Sequence, residues 1–488
     1  MVFLRSTVAT VYEARAAPGA CLSNPRLLSD ASWRFIFARM TTDSHLPPGP
    51  PQHPVLQLLR YSFRPLQYLQ DCARYGETFT MRLAGFGELV QLTRPEDIRE
   101  VFRIEPTALH AGEGNALLAT LVGQTSVLVL DEEPHARQRR VLLPPLKGER
   151  MRTFFDAMQS ETLAVAEQWA QGDVVRADTA MQGITLRVIL RAALGVDTGA
   201  DFEDLQASMG RLLREVRHPL VLILWRLFPP HRFEQSRVLP FYRLRRRFDA
   251  RLYQVIAAQR ALAAAARAPC LLTDLLQVQY EDGRGMSDVE LRDALVTILA
   301  AGHDTTALSL AWALEQILPR ADVVARIEDE LRAVCGTALP GPEHIMALDY
   351  LDAAIRESLR LRSILTFVVR MVKTPLTLNG VTYPPGVMLC PAIHLLHQRP
   401  DLYPEPQRFR PERFLERKFA PHEWTPFGGG NRACLGQVFA LYEMKVVLAT
   451  LFTVLRMERP AGAVSRPVRC GISIGASDGV KVRATRRV

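Results

Sequence analysis

One cysteine stands in a stretch built to hold something. Residues 427–436 read FGGGNRACLG, which sets Cys434 between a glycine-rich turn and an apolar run. A thiolate, not a thiol, binds metal, and it needs positive charge or N–H donors beside it. Backbone N–H groups at the start of the following helix can point at the sulfur, and Arg432 adds positive charge that an acidic cofactor edge could use. The glycines would let the chain pass close beneath a flat cofactor. A lone cysteine is otherwise most often a small buried apolar group. Six others stand at 21, 72, 270, 335, 390 and 470, widely spaced and without a CxxC pair.

A second stretch breaks a rule. Ser287 and Glu290 form an S-x-x-E capping box, and the apolar pattern behind them predicts a helix over 287–318, about 48 Å long at 1.5 Å per residue. It is apolar nearly all round from 294 to 314 and should be buried. Its middle reads AAGHDTTALS at 300–309. Gly302 costs about 1 kcal/mol there relative to alanine. Asp304, in an apolar stretch, needs a partner. An ordinary core helix with tolerated blemishes would fit these residues. The functional reading is that the helix opens here. The Thr305 hydroxyl then bonds back to the carbonyl of Ala301, Gly302 admits a flat ligand, and Asp304 and Thr305 set an acid and a hydroxyl beside a buried reaction centre.

These two stretches must be positioned by a large scaffold. The chain has 488 residues, 48% of them hydrophobic, enough for an extensive core. Residues 46–54 form a proline-rich arm. Gly85 and Gly87 mark a hairpin between 77–83 and 88–92, and Pro95 opens a helix with Glu96 and Asp97 in its first turn. Helical periods dominate from about 150 to 335. Turn signals at Asn379-Gly380 and Pro384-Pro385-Gly386 predict short strands over 376–389. A long loop at 399–427 precedes a helix over 435–455. Residues 1–39 are expected to be a disordered extension, with one folded domain over 40–488. No run of about 18 apolar residues offers a transmembrane anchor.

The pattern F-x-x-G-x-R-x-C-x-G at 427–436 resembles the cysteine-ligand loop of the cytochrome P-450 superfamily, the haem-thiolate monooxygenases. Its five fixed positions would coincide by chance in about one sequence of this composition in ten thousand. AGHDTT at 301–306 resembles that family's oxygen-activation motif. Further matches follow in the family's order. ESLR at 357–360 resembles its E-x-x-R motif, and FRPERF at 409–414 its PERF-like segment. HARQR at 135–139 is similar to its H-x-x-x-R segment. One departure stands out, because Ser363 and Ile364 occupy the place where the family usually has two prolines.

The resemblance implies a mainly α fold with small β-sheets, a single large domain burying haem b between the long central helix and the cysteine loop. Cys434 would ligate the iron as thiolate. His135, Arg139, Arg370 and Arg432 would meet the haem propionates, with Gly302, Phe427 and Gly436 also against the cofactor. Asp304 and Thr305 would deliver protons during dioxygen reduction. Glu357, Arg360 and Arg413 would form a buried ion network. The substrate pocket would draw on Leu118, Leu121, Ile298, Ala301, Leu365, Phe367 and Ile472, from the segments 114–121, 298–301, 364–368 (a strand) and 472–474. These are mostly apolar and favour fatty acids, terpenoids, steroids or similar metabolites. The apolar stretch 219–228 would form an access lip or pack as a helix.

The resemblance implies insertion of one oxygen atom of O2, the other leaving as water, with electrons from a separate partner. The chain carries net charge +9, almost all of it arginine. Arg137, Arg140, Arg408, Arg410, Arg417, Lys418 and Lys445 would gather on the cysteine side, where an acidic ferredoxin or flavodoxin could dock. No like-charge block suggests nucleic-acid binding. Neither a P-loop nor a GxGxxG fingerprint is present, so a fused reductase is not expected. The odd, scattered cysteines fit a reducing compartment, the cytoplasm, and a monomer is expected. A non-catalytic haem carrier or sensor needs the thiolate but not Asp304 and Thr305. A zinc site from Cys390, His394 and His397 lacks a fourth ligand and helical spacing.

Overall fold

The computed structural model describes residues 45–146, 152–195, 199–218, 221, 225, 240–263 and 270–487. The expected extension over 1–39, and all but two residues of the expected lip at 219–228, lie outside them. Within the lip, Trp225 is buried edge-on against Phe241.

Among the described residues, helix α1 (Pro54–Phe63) and a shorter helix at Pro65–Cys72 precede strands β1 (Thr78–Leu83) and β2 (Gly87–Leu92). The proline arm lies along β1: Thr80 donates from its backbone to Pro48 and from its hydroxyl to Pro47. Gly49 is required there, because a Cβ would sit 1.8 Å from the Thr80 carbonyl. Helix α2 (Pro95–Arg103), strand β3 (Leu109–His110), helix α3 (Glu132–Leu142) and helix α4 (Phe155–Trp169) follow. Strand β4 (Gln171–Arg176) interrupts a region in which helical periods dominate. Helices α5 (Ala177–Leu194), α6 (Ala200–Arg217), α7 (Pro240–Ala261), α8 (Asp288–Ile317) and α9 (Asp349–Leu361) lead to the short strands β5 (Arg370–Val372), β6 (Leu376–Leu378), β7 (Val381–Tyr383) and β8 (Met388–Pro391). Helix α10 (Gln437–Val454) and strands β9 (Leu455–Glu458), β10 (Pro467–Cys470), β11 (Ser473–Ala476) and β12 (Lys481–Arg486) complete the chain.

The strands form four small sheets, ordered β1-β2-β8-β5-β3, β4-β12-β9, β10-β11 and β6-β7. The hairpins at 77–92 and 376–383 fall where their turn residues predict. The expected strand at 364–368 does not form, and regular pairing begins only at Arg370. Its backbone bonds go singly to different neighbours. Ile364 and Thr366 accept from Ile474 and His394, while Val368 donates to Pro391. No ladder can build from partners that point three ways.

Helix α8 runs through the main core. Its capping box is complete: Ser287 Oγ accepts from the Glu290 amide, and the Glu290 carboxylate accepts from the Ser287 amide. Residues 291–299 are buried without a break, as are 306–314. Helix α5 packs along it, and His303 is pinned to Thr185 of α5 at 3.0 Å. Helices α8 and α10 are long and apolar enough to cross a membrane, yet most of each apolar stretch is buried inside the protein. Their composition is that of core helices.

Candidate active site

Between its two buried runs, α8 changes character. Ala301 is exposed, and Ala300, Gly302, Asp304 and Thr305 are part-exposed. An exposed alanine in the middle of a core helix borders an interior hollow. Thr305 Oγ1 donates to the Ala301 carbonyl at 2.6 Å, diverting that acceptor at the hollow. Asp304 accepts from Gln182 of α5 at 3.1 Å and pairs with Arg217, at the end of α6, at 3.6 Å. Burial pushes its carboxyl up, against the pull of Arg217 and Gln182. Gly302, part-exposed at the same place, also has a packing role. A Cβ there would meet Ile189 of α5 at 3.3 Å, so its bareness lets two helices approach.

The cysteine loop is fixed from several sides. The Cys434 amide closes the loop onto the Phe427 carbonyl at 2.9 Å. Among the described cysteines Cys434 alone is exposed. Even so, surrounding protein raises its thiol pKa by burial, opposed by the Gly436 amide and Arg139. Free surface inside dense protein again means the wall of an interior hollow. At Gly436 a Cβ would meet nothing within 4 Å. The triple glycine has a second cause that the sequence does not reveal. Phe102 of α2 packs into it, and a Cβ on Gly429 would lie 2.2 Å from its ring. Gly430 has φ +66°, and its Cβ would lie 2.3 Å from the Phe102 carbonyl.

Four basic groups converge beside this loop. His135 and Arg139 come from α3, Arg370 from β5 and Arg432 from the loop itself. Arg432 is bonded to Asp131 and to the Val127 carbonyl, and Arg370 to the carbonyls of Val369 and Gly429. Burial, then Arg432 and Arg139, pushes His135 down to about 4. Burial followed by Arg432 takes Arg370 down to about 10. Arg432 also falls to about 10, through burial and Arg139, with Asp131 opposing. Among the described residues, three guanidiniums and one carboxylate thus gather here, and two positive charges in a partly buried place lack a counter-charge.

Behind the loop lies the ion network. Glu357 accepts from Arg360 at 2.7 and 2.9 Å, from Arg413 at 3.0 Å and from the Arg410 amide at 2.9 Å. All three side chains are buried. His397 ties this network to the cysteine loop. Its carbonyl accepts from Arg360 at 2.7 Å, and its Nε2 accepts from the Thr425 amide at 3.0 Å. Nδ1 then carries the proton and donates to Ser363 Oγ at 3.2 Å. The serine that departs from the expected prolines therefore has a buried bonding role. With both nitrogens engaged, His397 is no metal ligand, and no metal-binding cluster exists among the described residues.

The residues named for a substrate pocket are only partly together. Leu121 and Ile298 share the main core, with Leu118 packed against it. Phe367 stacks on Tyr61 in a separate cluster beneath the large sheet. Leu365 is half-buried, and Ile472 is exposed at the tip between β10 and β11. The basic residues named for partner docking are largely neutralised. Arg408, Arg410 and Arg417 pair with Glu405, Glu416 and Glu423, and Arg140 with Glu281. Arg137 stacks on Tyr280. Lys445 is buried against Asp352, because it sits on the inner face of α10, and it cannot meet a partner. Lys418 is exposed.

The sequence model of the Cytochrome P450 family matches residues 47–472. The chain belongs to this family. Cytochrome P450 135B1 of Mycobacterium tuberculosis is 35% identical over 92% of this chain and 93% of its own length. Cytochrome P450 138 of the same organism is 34% identical, covering 85% and 90%. Both carry only a family designation. Among solved structures, a cytochrome P450DA mutant haem domain superposes with TM-score 0.80 at 23% identity, covering 91% of this chain and 98% of its own. Retinoic acid-bound cyanobacterial CYP120A1 gives 0.78 at 23%, covering 91% and 99%. The protein is therefore a haem-thiolate monooxygenase. Its own residues fit haem: an accessible cysteine, open space at Gly436, and two unbalanced positive charges where two propionates would balance them.

Sequence reasoning missed Phe102, Asp131, Gln182 and Arg217, and it weighed His397 only as a zinc ligand. Each gains its role from a partner far away in the chain, and only Asp131, an acid just ahead of a helix, carries any local signal.

Proposed function

We propose that Cys434 would hold the haem iron as thiolate and that His135, Arg139, Arg370 and Arg432 would receive the propionates. The observation that carries this is the partly buried charge excess beside Cys434, the most accessible of the described cysteines. Thiolate-held haem supplies reductive activation of O2, so that one oxygen enters substrate and the other leaves as water, consuming two electrons and two protons. The Gly436 amide limits charge on the sulfur. The rest of the proposal concerns proton supply. Asp304, raised by burial and held by Arg217 and Gln182, takes protons from the solvent side. Thr305, whose hydroxyl rests on the Ala301 carbonyl, passes them on.

The substrate is an apolar metabolite of the fatty-acid, terpenoid or steroid kind. Leu118, Leu121, Ile298 and Ala301 supply an apolar wall at the hollow. Electrons come from a ferredoxin or flavodoxin in the cytoplasm, docking near Lys418 and Arg137. Because the surrounding arginines are paired, docking should depend on salt only modestly.

The test is spectral. Reduced protein under carbon monoxide should give the red-shifted Soret band of thiolate ligation, and Cys434→Ser should abolish it. A normal band in Cys434→Ser refutes the ligand assignment. Thr305→Ala should keep the band but lower product formed per electron consumed.

A further inference from the structure

A buried ion cluster lies away from the cysteine loop, at the start of α8. Arg292 is 3% exposed and Asp293 4%. Arg292 donates to Asp293 at 2.9 Å and to Asp249 of α7 at 2.6 and 2.9 Å. Arg245, one turn before Asp249, pairs with it at 3.6 Å. The cluster holds two cations and two anions.

What this cluster grips is backbone. Arg245 donates to the Thr120 carbonyl at 2.7 Å, and Arg292 to that of Leu121 at 3.4 Å. Asp293 accepts from the amide and hydroxyl of Thr125 at 2.9 and 2.8 Å. Gly123 passes so close that a Cβ would sit 2.0 Å from that carboxylate. One turn along α8, Ser126 Oγ meets Thr297 Oγ1 at 2.6 Å. Beyond its short helix at Ala119–Val122, this segment has no regular hydrogen bonding to fix it. It nevertheless delivers Leu121, Val122 and Val127 into the cluster that contains Ile298.

We propose that Arg245, Asp249, Arg292 and Asp293 are specificity-positioning residues, a clamp that holds segment 118–127 as a rigid wall and so limits the bulk of substrate admitted. This rests on the pocket reading above. Opening the wall would break charge-assisted hydrogen bonds and leave buried ionic groups short of partners, so the segment does not yield to a large ligand as an apolar contact would. Substrate of greater bulk must then be accommodated by other walls.

The test uses holoprotein and three nitrogen ligands of increasing size, imidazole, phenylimidazole and clotrimazole, read by the Soret shift on binding. Asp293→Asn removes the charge, and Gly123→Ala pushes the segment away from the other side. Both should lower the ratio of the clotrimazole to the phenylimidazole dissociation constant by about tenfold. Amide hydrogen exchange of 119–128 should quicken by about tenfold, with α10 unchanged. Asp249→Asn, at a half-buried position, breaks one leg and should act in the same direction with smaller effect, should the first two fail to fold. An unchanged ratio alongside faster exchange overturns the specificity role. Unchanged exchange overturns the clamp itself. Absence of any Soret response in the unmodified protein would instead sink the haem-site reading, while the exchange arm still judges the clamp.

Discussion

Replacing Glu357 should damage this protein more than replacing either arginine that it holds. Glu357 is the single anion between two buried guanidiniums, and it accepts four hydrogen bonds. Glu357→Gln keeps the shape but leaves Arg360 and Arg413 facing each other without a counter-charge. Removing one partner of a buried pair typically costs about 3–5 kcal/mol. Arg413→Met differs in kind. It leaves a neutral Glu357–Arg360 pair, and the carbonyls of Arg408 and Pro404 lose donors. That change should cost about 1–3 kcal/mol, the penalty for lost hydrogen bonds. Against a total of about 5–15 kcal/mol for a folded domain, the first is severe and the second tolerable. Urea midpoints of the two purified holoproteins measure the order directly. A Glu357→Gln loss below that of Arg413→Met would refute the charge argument, since it would mean that the guanidiniums do not need the carboxylate.

Other outcomes follow from single positions. Gly430→Ala must adopt φ +66° and displace the Phe102 carbonyl, so it should lose about 1–3 kcal/mol and shrink the thiolate-type carbon monoxide band. A normal band with unchanged stability would refute it. Glu443, buried on α10 with Oε1 unpartnered, is pushed well above its ordinary value by burial. The folded state thus keeps a proton that the unfolded state releases from about pH 4.5 upward, so stability should fall by up to about 1.4 kcal/mol per pH unit above it. Glu443→Gln should flatten that decline in pH-dependent urea midpoints. Arg217→Met removes the cation that restrains Asp304, so the acid limb of product formation per electron should move to higher pH. An unmoved profile would separate Arg217 from proton delivery.

Much of this architecture is legible in one dimension because its signals are local. A capping box and an unbroken apolar run specify α8, and glycines specify the β1–β2 turn. Cys434 stands out because its neighbours in sequence are also its neighbours in space. Legibility ends where a role depends on distant packing. The glycines at 429 and 430 read as clearance for a flat group, yet Phe102, more than three hundred residues earlier, also needs them. Gly302 reads as a ligand contact, and its closeness to Ile189 of α5 is not visible in the sequence. Lys445 reads as surface charge, but helix phase turns it inward. The segment 364–368 is expected as a strand from the family resemblance, and its three divergent backbone partners prevent a ladder.

The charge imbalance around Arg139, Arg370 and Arg432 has a bearing on biogenesis. A chain that closes this region without an anion gathers like charges that repel, with only Asp131 among the described residues to offset them. If the propionates are that anion, cofactor capture belongs to the last stage of folding at this edge. Growth under iron or porphyrin limitation should then deplete the protein itself as well as its activity, since the newly made polypeptide would stay open to proteolysis until a dianion arrived.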